Sequence, residues 1–189
     1  MRYKEFNKNK VLEECIPLFW GNSFNGTPIS NVVEQTNVNR FSLYHEFQNK
    51  QGILYEALKL YKERYSSKLV KTLDAKLVAT DDIRELLTNL FCSFIIKSEG
   101  QRGCFIIYIA TELGDNDPII NDFLRDYLHE LEAKFLALLI RSDEFSGSHQ
   151  VIAKNLVMFF CNSMCYCHIQ SDQQSRDFVS LNLDIILNN

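Results

Sequence analysis

Apolar residues recur along nearly the whole chain at the three- and four-residue spacing of amphipathic helices, and no segment alternates as a half-buried strand would. The first such segment covers residues 7–22. Pro17 lies inside it, where proline removes a backbone donor and crowds the preceding turn. The pattern therefore predicts a first helix that either kinks at Pro17 or has different bounds. Its apolar face is formed by Val11, Leu12, Cys15, Ile16 and Phe19.

Two short helices are predicted next. We expect Gly26 to supply a left-handed turn after the first helix. Thr27 is expected to act as the N-cap of the second helix, with Pro28 at its first helical position. These residues predict that the second helix begins close to residue 28.

A sharp turn is predicted at Thr36-Asn37, because asparagine tolerates the left-handed conformation that such a turn requires. Val38 is expected to be a buried plug after this turn. Asn39 is expected to cap a third helix that ends at Phe47. A long helix followed by two short helices around a tight turn predicts a helix-turn-helix unit.

The remainder of the chain also has a helical pattern. Asn49 is expected to cap a fourth helix at about residues 51–73. Only seven glycines and three prolines are present, so the many tight turns of an all-β fold are hard to supply. The predicted fold class is therefore all-α, with further helices at about residues 81–97, 104–113, 118–140, 149–169 and 173–187.

The net charge of −4 does not by itself indicate a nucleic-acid partner. Its distribution is more informative, because residues 1–50 carry six Lys/Arg and five Asp/Glu, whereas residues 51–189 carry fourteen and nineteen. A DNA reader needs basic residues that face phosphates, not a basic whole chain. The charge distribution is compatible with DNA binding by the N-terminal part.

The first ten residues lack the apolar stretch of a signal peptide, and the longest apolar runs, at 104–110 and 156–161, are far shorter than a bilayer span. We therefore expect a cytoplasmic protein without a membrane partner. In that compartment the six cysteines are expected to be reduced thiols.

A more specific pattern is present in residues 1–50. Gly26-Thr27 precede an apolar helix, Val38 ends the turn, and Leu43-Tyr44, Phe47 and Lys50 follow at fixed spacing. Together with Leu18-Phe19, these residues resemble the signature of the TetR/AcrR family of transcriptional regulators. The resemblance implies a three-helix helix-turn-helix DNA-binding domain at residues 1–50. It also implies a helical effector-binding and dimerisation domain at residues 51–189.

The resemblance makes the third helix the recognition helix, whose N-terminal end would reach base edges in the major groove of double-stranded operator DNA. Arg40 suits a guanine, and Phe41, which replaces a residue that is often small in the family, suits a thymine methyl group. Thr27 and Lys50 lie at helix starts and suit phosphate. The predicted DNA-binding residues are Thr27, Asn39, Arg40, Phe41, Ser42, Tyr44, His45 and Lys50.

The resemblance also implies a small-molecule effector in an apolar cavity and a homodimer formed through the last two helices. Residues 102–113 resemble the sixth helix of many TetR-like regulators, and movement of that helix would push on the fourth helix. The predicted effector-binding residues are apolar or aromatic and fit an ordinary core as well: Phe91, Phe94, Cys104, Tyr108, Phe123, Tyr127, Cys161 and Cys165.

Cys161, Cys165 and His168 share one helical face, because they are spaced at i, i+4 and i+7. One interpretation is a metal site built from thiolate and imidazole ligands. A second is a thiol sensor in which Arg102 favours the thiolate of Cys104. The third, which we favour, is small apolar cysteines packed between helices. No metal or other cofactor is therefore expected.

Enzymatic activity is not predicted, since the sequence has no Gly-rich phosphate loop, nucleophile elbow or metalloprotease pair. Glu112, Asp115 and Asp117 cluster beside a helix start, where we expect them to cap the helix and contact solvent. The predicted function is a ligand-responsive DNA-binding repressor that a small molecule releases from a palindromic operator. The alternative is a helical small-molecule-binding or interaction protein with a vestigial DNA reader.

Overall fold

The computed structural model describes residues 6–76, 82–95, 104–141, 145, 147–167 and 170–188. Within these ranges the chain forms α-helices and one 3-10 helix, Gly114–Asn116, and no strand. The predicted all-α fold class is confirmed. The helices are α1 (Lys8–Asn22), α2 (Ile29–Thr36), α3 (Arg40–Phe47), α4 (Lys50–Lys76), α5 (Ile83–Ile95), α6 (Phe105–Leu113), α7 (Pro118–Leu139), α8 (His149–Cys167) and α9 (Asp172–Leu187).

The predicted helices agree closely with these bounds. Helix α1 continues through Pro17, and Asn7 caps it by accepting the Lys10 backbone N–H at 3.1 Å. Asn49 caps α4 as expected, because its Oδ1 accepts the Gly52 N–H at 2.8 Å. The predicted loop at 100–103 and most of the one at 142–148 lie outside the described residues.

The predicted start of α2 is wrong by one residue. Pro28 is the N-cap residue, with extended backbone (φ −67°, ψ 156°), and Thr27 lies before it. The Thr27 hydroxyl does not cap α2, because it donates to the Ser23 carbonyl oxygen at 2.6 Å. Thr27 therefore closes the turn after α1.

The predictions for Gly26 and Val38 also need correction. The residue with a positive φ after α1 is Ser23 (φ 62°, ψ 162°), not Gly26. Gly26 is instead required for space, because a Cβ on it would lie 2.3 Å from the Asn22 carbonyl oxygen. Val38 is half-buried and not a fully buried plug, since it follows the exposed Asn37 at the surface of the turn.

The chain divides into two compact units, the first of which comprises Met1–Ser66 and Phe105–Asn121. Its core joins the apolar face of α1 to α4 and α6. The Trp20 ring lies 5.6 Å from the rings of both Tyr61 and Phe105, centroid to centroid. Tyr61 and Phe105 in turn lie 5.5 Å apart. This aromatic cluster fixes α1 between α4 and α6, because large buried rings contribute most to core packing.

The second unit comprises Ser67–Cys104 and Asp122–Asn189. Phe91 on α5 is fully buried, and its ring lies 5.9 Å from that of Phe135 on α7 and 5.1 Å from that of Phe160 on α8. Helix α9 packs on α5, where Arg84 pairs with Asp184 at 2.5 Å. None of the helices in the described ranges is long and apolar enough to cross a membrane.

Asp117 begins α7 and joins it to α4 in the first unit. Its Oδ1 accepts the N–H groups of Ile119 and Ile120 at 3.1 and 3.3 Å, so the predicted helix start at Asp117-Pro118 is confirmed. Its Oδ2 accepts from Gln51 Nε2 at 2.5 Å and from the Tyr55 hydroxyl at 2.7 Å. Burial alone would raise the pKa of Asp117, but these four hydrogen bonds stabilise the carboxylate and lower the pKa below its ordinary value.

We expect Asp117→Ala to lower the free energy of unfolding by about 2 kcal/mol, because an N-cap and two links to α4 are lost together. Urea unfolding at pH 7 measures the change. Because the folded pKa is lowered, the contribution is present above the unfolded pKa of about 3.9 and is lost as the pH falls below it. The difference in the free energy of unfolding between the unaltered protein and Asp117→Ala should therefore shrink in acid.

Asp122→Ala is the matched control for this substitution. Asp122 is exposed and pairs with Arg125 three residues later, so its removal should change stability by less than about 0.5 kcal/mol. Equal losses in the free energy of unfolding for Asp117→Ala and Asp122→Ala would show that Asp117 contributes nothing beyond its charge.

Candidate nucleic-acid interface

The turn between α2 and α3 has the geometry of a helix-turn-helix. Asn37 adopts the predicted left-handed conformation (φ 51°, ψ 29°) and ends α2. Asn39 caps α3 as predicted, because its Oδ1 accepts the Ser42 backbone N–H at 2.9 Å. Helix α3 is thus fixed by local hydrogen bonds at its N-terminal end, where its side chains are presented to solvent.

Helix α3 has one buried and one exposed face. Leu43 and Phe47, which belong to the predicted DNA reader (residues 1–50), are buried. Arg40, Phe41 and His45 are exposed, and Phe41 presents 67% of its surface to solvent. A large exposed phenylalanine beside an arginine is unusual for a solvated helix face, and it suits a surface that a partner covers.

The exposed side chains of α3 are organised by contacts with one another. The Arg40 guanidinium lies 5.0 Å from the centroid of the Tyr44 ring, in a cation–π contact. The Phe41 ring stacks on that of His45 at 6.4 Å. The carboxylate of Glu46 on the same helix pairs with Lys8 of α1, which offsets a negative charge next to a surface proposed to meet phosphates.

Two of the predicted DNA contacts have buried side chains. Thr27 has no exposed surface, and Ser42 is only 8% exposed. A contact from either hydroxyl to DNA would require rearrangement of the reader, so we assign neither a role in the proposal below. Asn39, Arg40, Phe41, Tyr44 and His45 are brought together at the exposed N-terminal end and face of α3.

Lys50 is engaged within the reader. Its Nζ donates to the carbonyl oxygens of Phe24 and Thr27, both at 2.9 Å, and lies 4.1 Å from the centroid of the Phe24 ring. Burial lowers the pKa of Lys50, and the nearby carboxylate of Glu112 opposes that effect. Lys50 thus holds residues 24–27, and its contact with phosphate stays a prediction.

The predicted capping role of Glu112 is wrong, because this residue of α6 bonds the backbone of the segment between α1 and α2. Its Oε2 accepts the Phe24 N–H at 2.9 Å, and its Oε1 accepts the Asn25 N–H at 2.8 Å. The sequence separation is 88 and 87 residues, so no local pattern signals this contact. In the sequence, Glu112 stands out only by its place in an acidic cluster with Asp115 and Asp117.

A cavity of about 290 Å³ lies within the reader, between the start of α1 and the turn that precedes α3. Its wall includes Lys10, Glu14 and Thr36. None of the predicted effector-binding residues whose side chains the structure describes lines it. It is therefore separate from the effector cavity that the sequence predicts.

The structure describes the side chains of six of the eight predicted effector-binding residues. Phe91, Cys104, Tyr127 and Cys161 are buried, and the Cys104 thiol donates to the Tyr127 hydroxyl at 3.9 Å. Tyr108 and Phe123 are half-buried, and Tyr108 belongs to the first unit. The side chains of Phe94 and Cys165 lie outside the described residues.

The described cysteines, Cys15, Cys92, Cys104, Cys161 and Cys167, are buried and not joined in disulfides. Burial raises the pKa of Cys15 to about 12, and burial also raises the pKa values of Cys92 and Cys167. Those three thiols are protonated at neutral pH and are poor nucleophiles. Arg102 and His168, which the thiol-sensor and metal interpretations use, lie outside the described residues.

Sequence comparisons find helix-turn-helix regulators. The chain is 31% identical over 125 residues to the HTH-type transcriptional repressor ComR of Escherichia coli, a match that covers 64% of this chain and 58% of ComR. It is 25% identical over 146 residues to the uncharacterized HTH-type transcriptional regulator YezE of Bacillus subtilis, covering 76% and 73%. The chain thus spans little more than half the length of ComR. No family model matches it.

Structural comparisons extend over nearly the whole chain. The TetR-family regulator CifR, in a cysteine mutant complexed with operator DNA, superposes with a TM-score of 0.77 over 99% of this chain and 98% of CifR, at 18% identity. The reduced form of E. coli NemR gives a TM-score of 0.80 over 96% and 97%, at 16% identity.

The turn at Asn37 and the recognition helix α3 define a helix-turn-helix protein. More specifically, the chain has the fold of the TetR-family transcriptional regulators, and the resemblance inferred from residues 1–50 is confirmed. ComR, YezE and CifR are described as transcriptional regulators or repressors.

Proposed function

We propose that the chain is a DNA-binding transcriptional regulator in which residues 1–50 read double-stranded operator DNA and residues 51–189 bind an effector and dimerise. In this proposal it is a repressor that a small molecule releases from a palindromic operator. Release requires that the effector bind the DNA-incompetent state more tightly, since equal binding to both states shifts nothing.

The exposed face of α3 is the observation that carries the proposal. Arg40, Phe41 and His45 are exposed on one side of a helix whose other side is buried and whose start is capped. A guanidinium suits the acceptor edge of guanine, and an exposed ring suits the thymine methyl group. This combination supports base reading more strongly than a solvated helix face would.

Helices α8 and α9 support the dimer. Val151 and Met158 on α8 and Leu181 on α9 each expose between 56% and 62% of their surface. An apolar surface on two neighbouring helices is suited to pack against the same surface of a second copy, which gives a two-fold axis. A dimer with that symmetry would place two recognition helices on a palindrome.

Selection of binding sites from a random duplex DNA pool, at two salt concentrations, tests the proposal. We expect enrichment of a two-fold-symmetric site by the full-length protein. Enrichment of no sequence by folded protein would contradict it and would favour the alternative of a helical small-molecule-binding or interaction protein. The recovered site can then be used to screen small molecules for release.

We expect Arg40→Ala to weaken binding to the selected site by about 1–3 kcal/mol, because a bidentate contact to guanine is lost. Binding to unrelated DNA should change much less. Competition binding assays with specific and random duplexes measure both quantities. Lys59→Ala removes the same charge from an exposed position of α4 and should leave the preference unchanged. An Arg40→Ala protein with undiminished preference would remove Arg40 from base reading.

A further inference from the structure

The segment 24–27, which joins α1 to α2, is held by two side chains of opposite charge. From α4, Lys50 donates to the carbonyl oxygens of Phe24 and Thr27. From α6, Glu112 accepts the N–H groups of Phe24 and Asn25. Both polar groups of the Phe24 backbone are therefore bonded to charged side chains, and such hydrogen bonds are stronger than neutral ones.

The Glu112 contact differs from the other contacts between α6 and the reader. Phe105, the first residue of α6, packs against Trp20 and Tyr61 through ring faces and edges. Ring packing of this kind is apolar and stays favourable over centroid distances of about 4.5–7 Å. The two carboxylate hydrogen bonds are directional, and each oxygen of Glu112 accepts one specific N–H.

We propose that Glu112 is the positioning residue that couples α6 to the DNA reader, by setting the position of residues 24–27 and hence of α2. Displacement of α6 pulls on these two hydrogen bonds or breaks them, which changes the start of α2 and the placement of α3. The inference rests on the proposed function. It assigns the coupling to the α1–α2 segment, in addition to any push of α6 on α4.

Thermodynamic linkage makes this coupling testable without an identified effector. If the position of α6 affects DNA binding, then operator DNA must affect α6 by the same free energy. Hydrogen exchange of the backbone amides of residues 105–113, with and without saturating operator, reports this effect. Exchange of residues 23–28 in the absence of DNA reports the two hydrogen bonds themselves.

Glu112→Gln is the decisive variant, because it keeps the shape but replaces one acceptor oxygen with an NH2 group that faces a backbone N–H. Without DNA, we expect exchange in residues 23–28 to be about tenfold faster or more, as for loss of a charge-assisted hydrogen bond. With operator bound, exchange of residues 105–113 should slow in the unaltered protein and slow clearly less in the variant.

Glu63→Gln is the control, since it makes the same chemical change at an exposed position of α4 and should behave as the unaltered protein. Slowing of α6 exchange by the operator to the same extent in Glu112→Gln as in the unaltered protein would overturn the inference, as would normal exchange of residues 23–28 in that variant without DNA. Failure of the proposed function is a separate result: no operator is recovered in the selection, whatever the exchange of residues 23–28.

Discussion

Gly52→Ala is expected to lower the free energy of unfolding by about 3 kcal/mol and to weaken operator binding by about tenfold or more. A Cβ on residue 52 would lie 1.9 Å from the carbonyl oxygen of Phe47 and 3.1 Å from its carbonyl carbon. Phe47 ends the recognition helix, and its carbonyl oxygen also accepts the Asn49 N–H at 2.9 Å. A backbone group held in this way has no rotamer that relieves the clash.

The extra methyl group therefore fits only if α3 and the start of α4 move apart. That movement would shift the exposed face of α3, so stability and DNA binding should fall together. Urea unfolding and titration of the selected operator measure the two effects.

Gly21→Ala is the matched control, because a Cβ on that exposed residue of α1 meets nothing within 4 Å. Replacing a glycine with alanine inside a helix should stabilise the protein by about 0.5–1 kcal/mol. A Gly52→Ala protein as stable as Gly21→Ala, with unchanged operator affinity, would contradict the role given to the close approach at residue 52.

Local sequence chemistry was sufficient to predict most of the reader. The helices followed from the spacing of apolar residues, and the turn followed from the tolerance of Asn37 for the left-handed conformation. The caps at Asn39 and Asn49 were predicted because each side chain reaches an N–H only three residues later. Such interactions depend on neighbours in sequence, which a single chain displays directly.

The errors arose where tertiary contacts decide the outcome. Gly26 fits the usual rule for a left-handed residue after a helix, yet the residue that has a positive φ there is Ser23. Gly26 is needed for a different reason, the close approach of the Asn22 carbonyl oxygen. Thr27 has the composition of an N-cap, but its hydroxyl is bonded to Ser23. Residue propensities thus identified Gly26 and Thr27 as unusual positions. They did not predict the close backbone approach at Gly26 or the hydrogen bond of Thr27.

Long-range partners could not be predicted from the sequence at all. The sequence placed Glu112 in an acidic cluster beside a helix start, and nothing local distinguishes it from Asp117, which does cap α7. Only the packing of α6 against α1 brings the Glu112 carboxylate to Phe24 and Asn25. The same limit applies to effector contacts, because aromatic residues at helical spacing serve a core and a cavity equally well.

Phe91→Ala should separate those two roles in the second unit, with an expected loss of about 3–5 kcal/mol in the free energy of unfolding. Phe91 is fully buried, and its ring contacts those of Phe135, Phe159 and Phe160 at 5.9, 5.5 and 5.1 Å. Removing the ring leaves three aromatic neighbours without their shared contact. The loss is large beside the 5–15 kcal/mol or so that typically stabilises a domain.

Phe41→Ala makes the same chemical change on the exposed face of α3. Because 67% of Phe41 is exposed, its removal should change stability by less than about 0.5 kcal/mol while it weakens binding to the selected operator. Thermal and urea unfolding of both variants, with operator titrations, measure the contrast. A loss below about 1 kcal/mol for Phe91→Ala would mean that its ring borders space into which neighbours can relax. That outcome would favour Phe91 as part of the wall of an effector cavity. The full expected loss in the free energy of unfolding would instead assign Phe91 to the hydrophobic core.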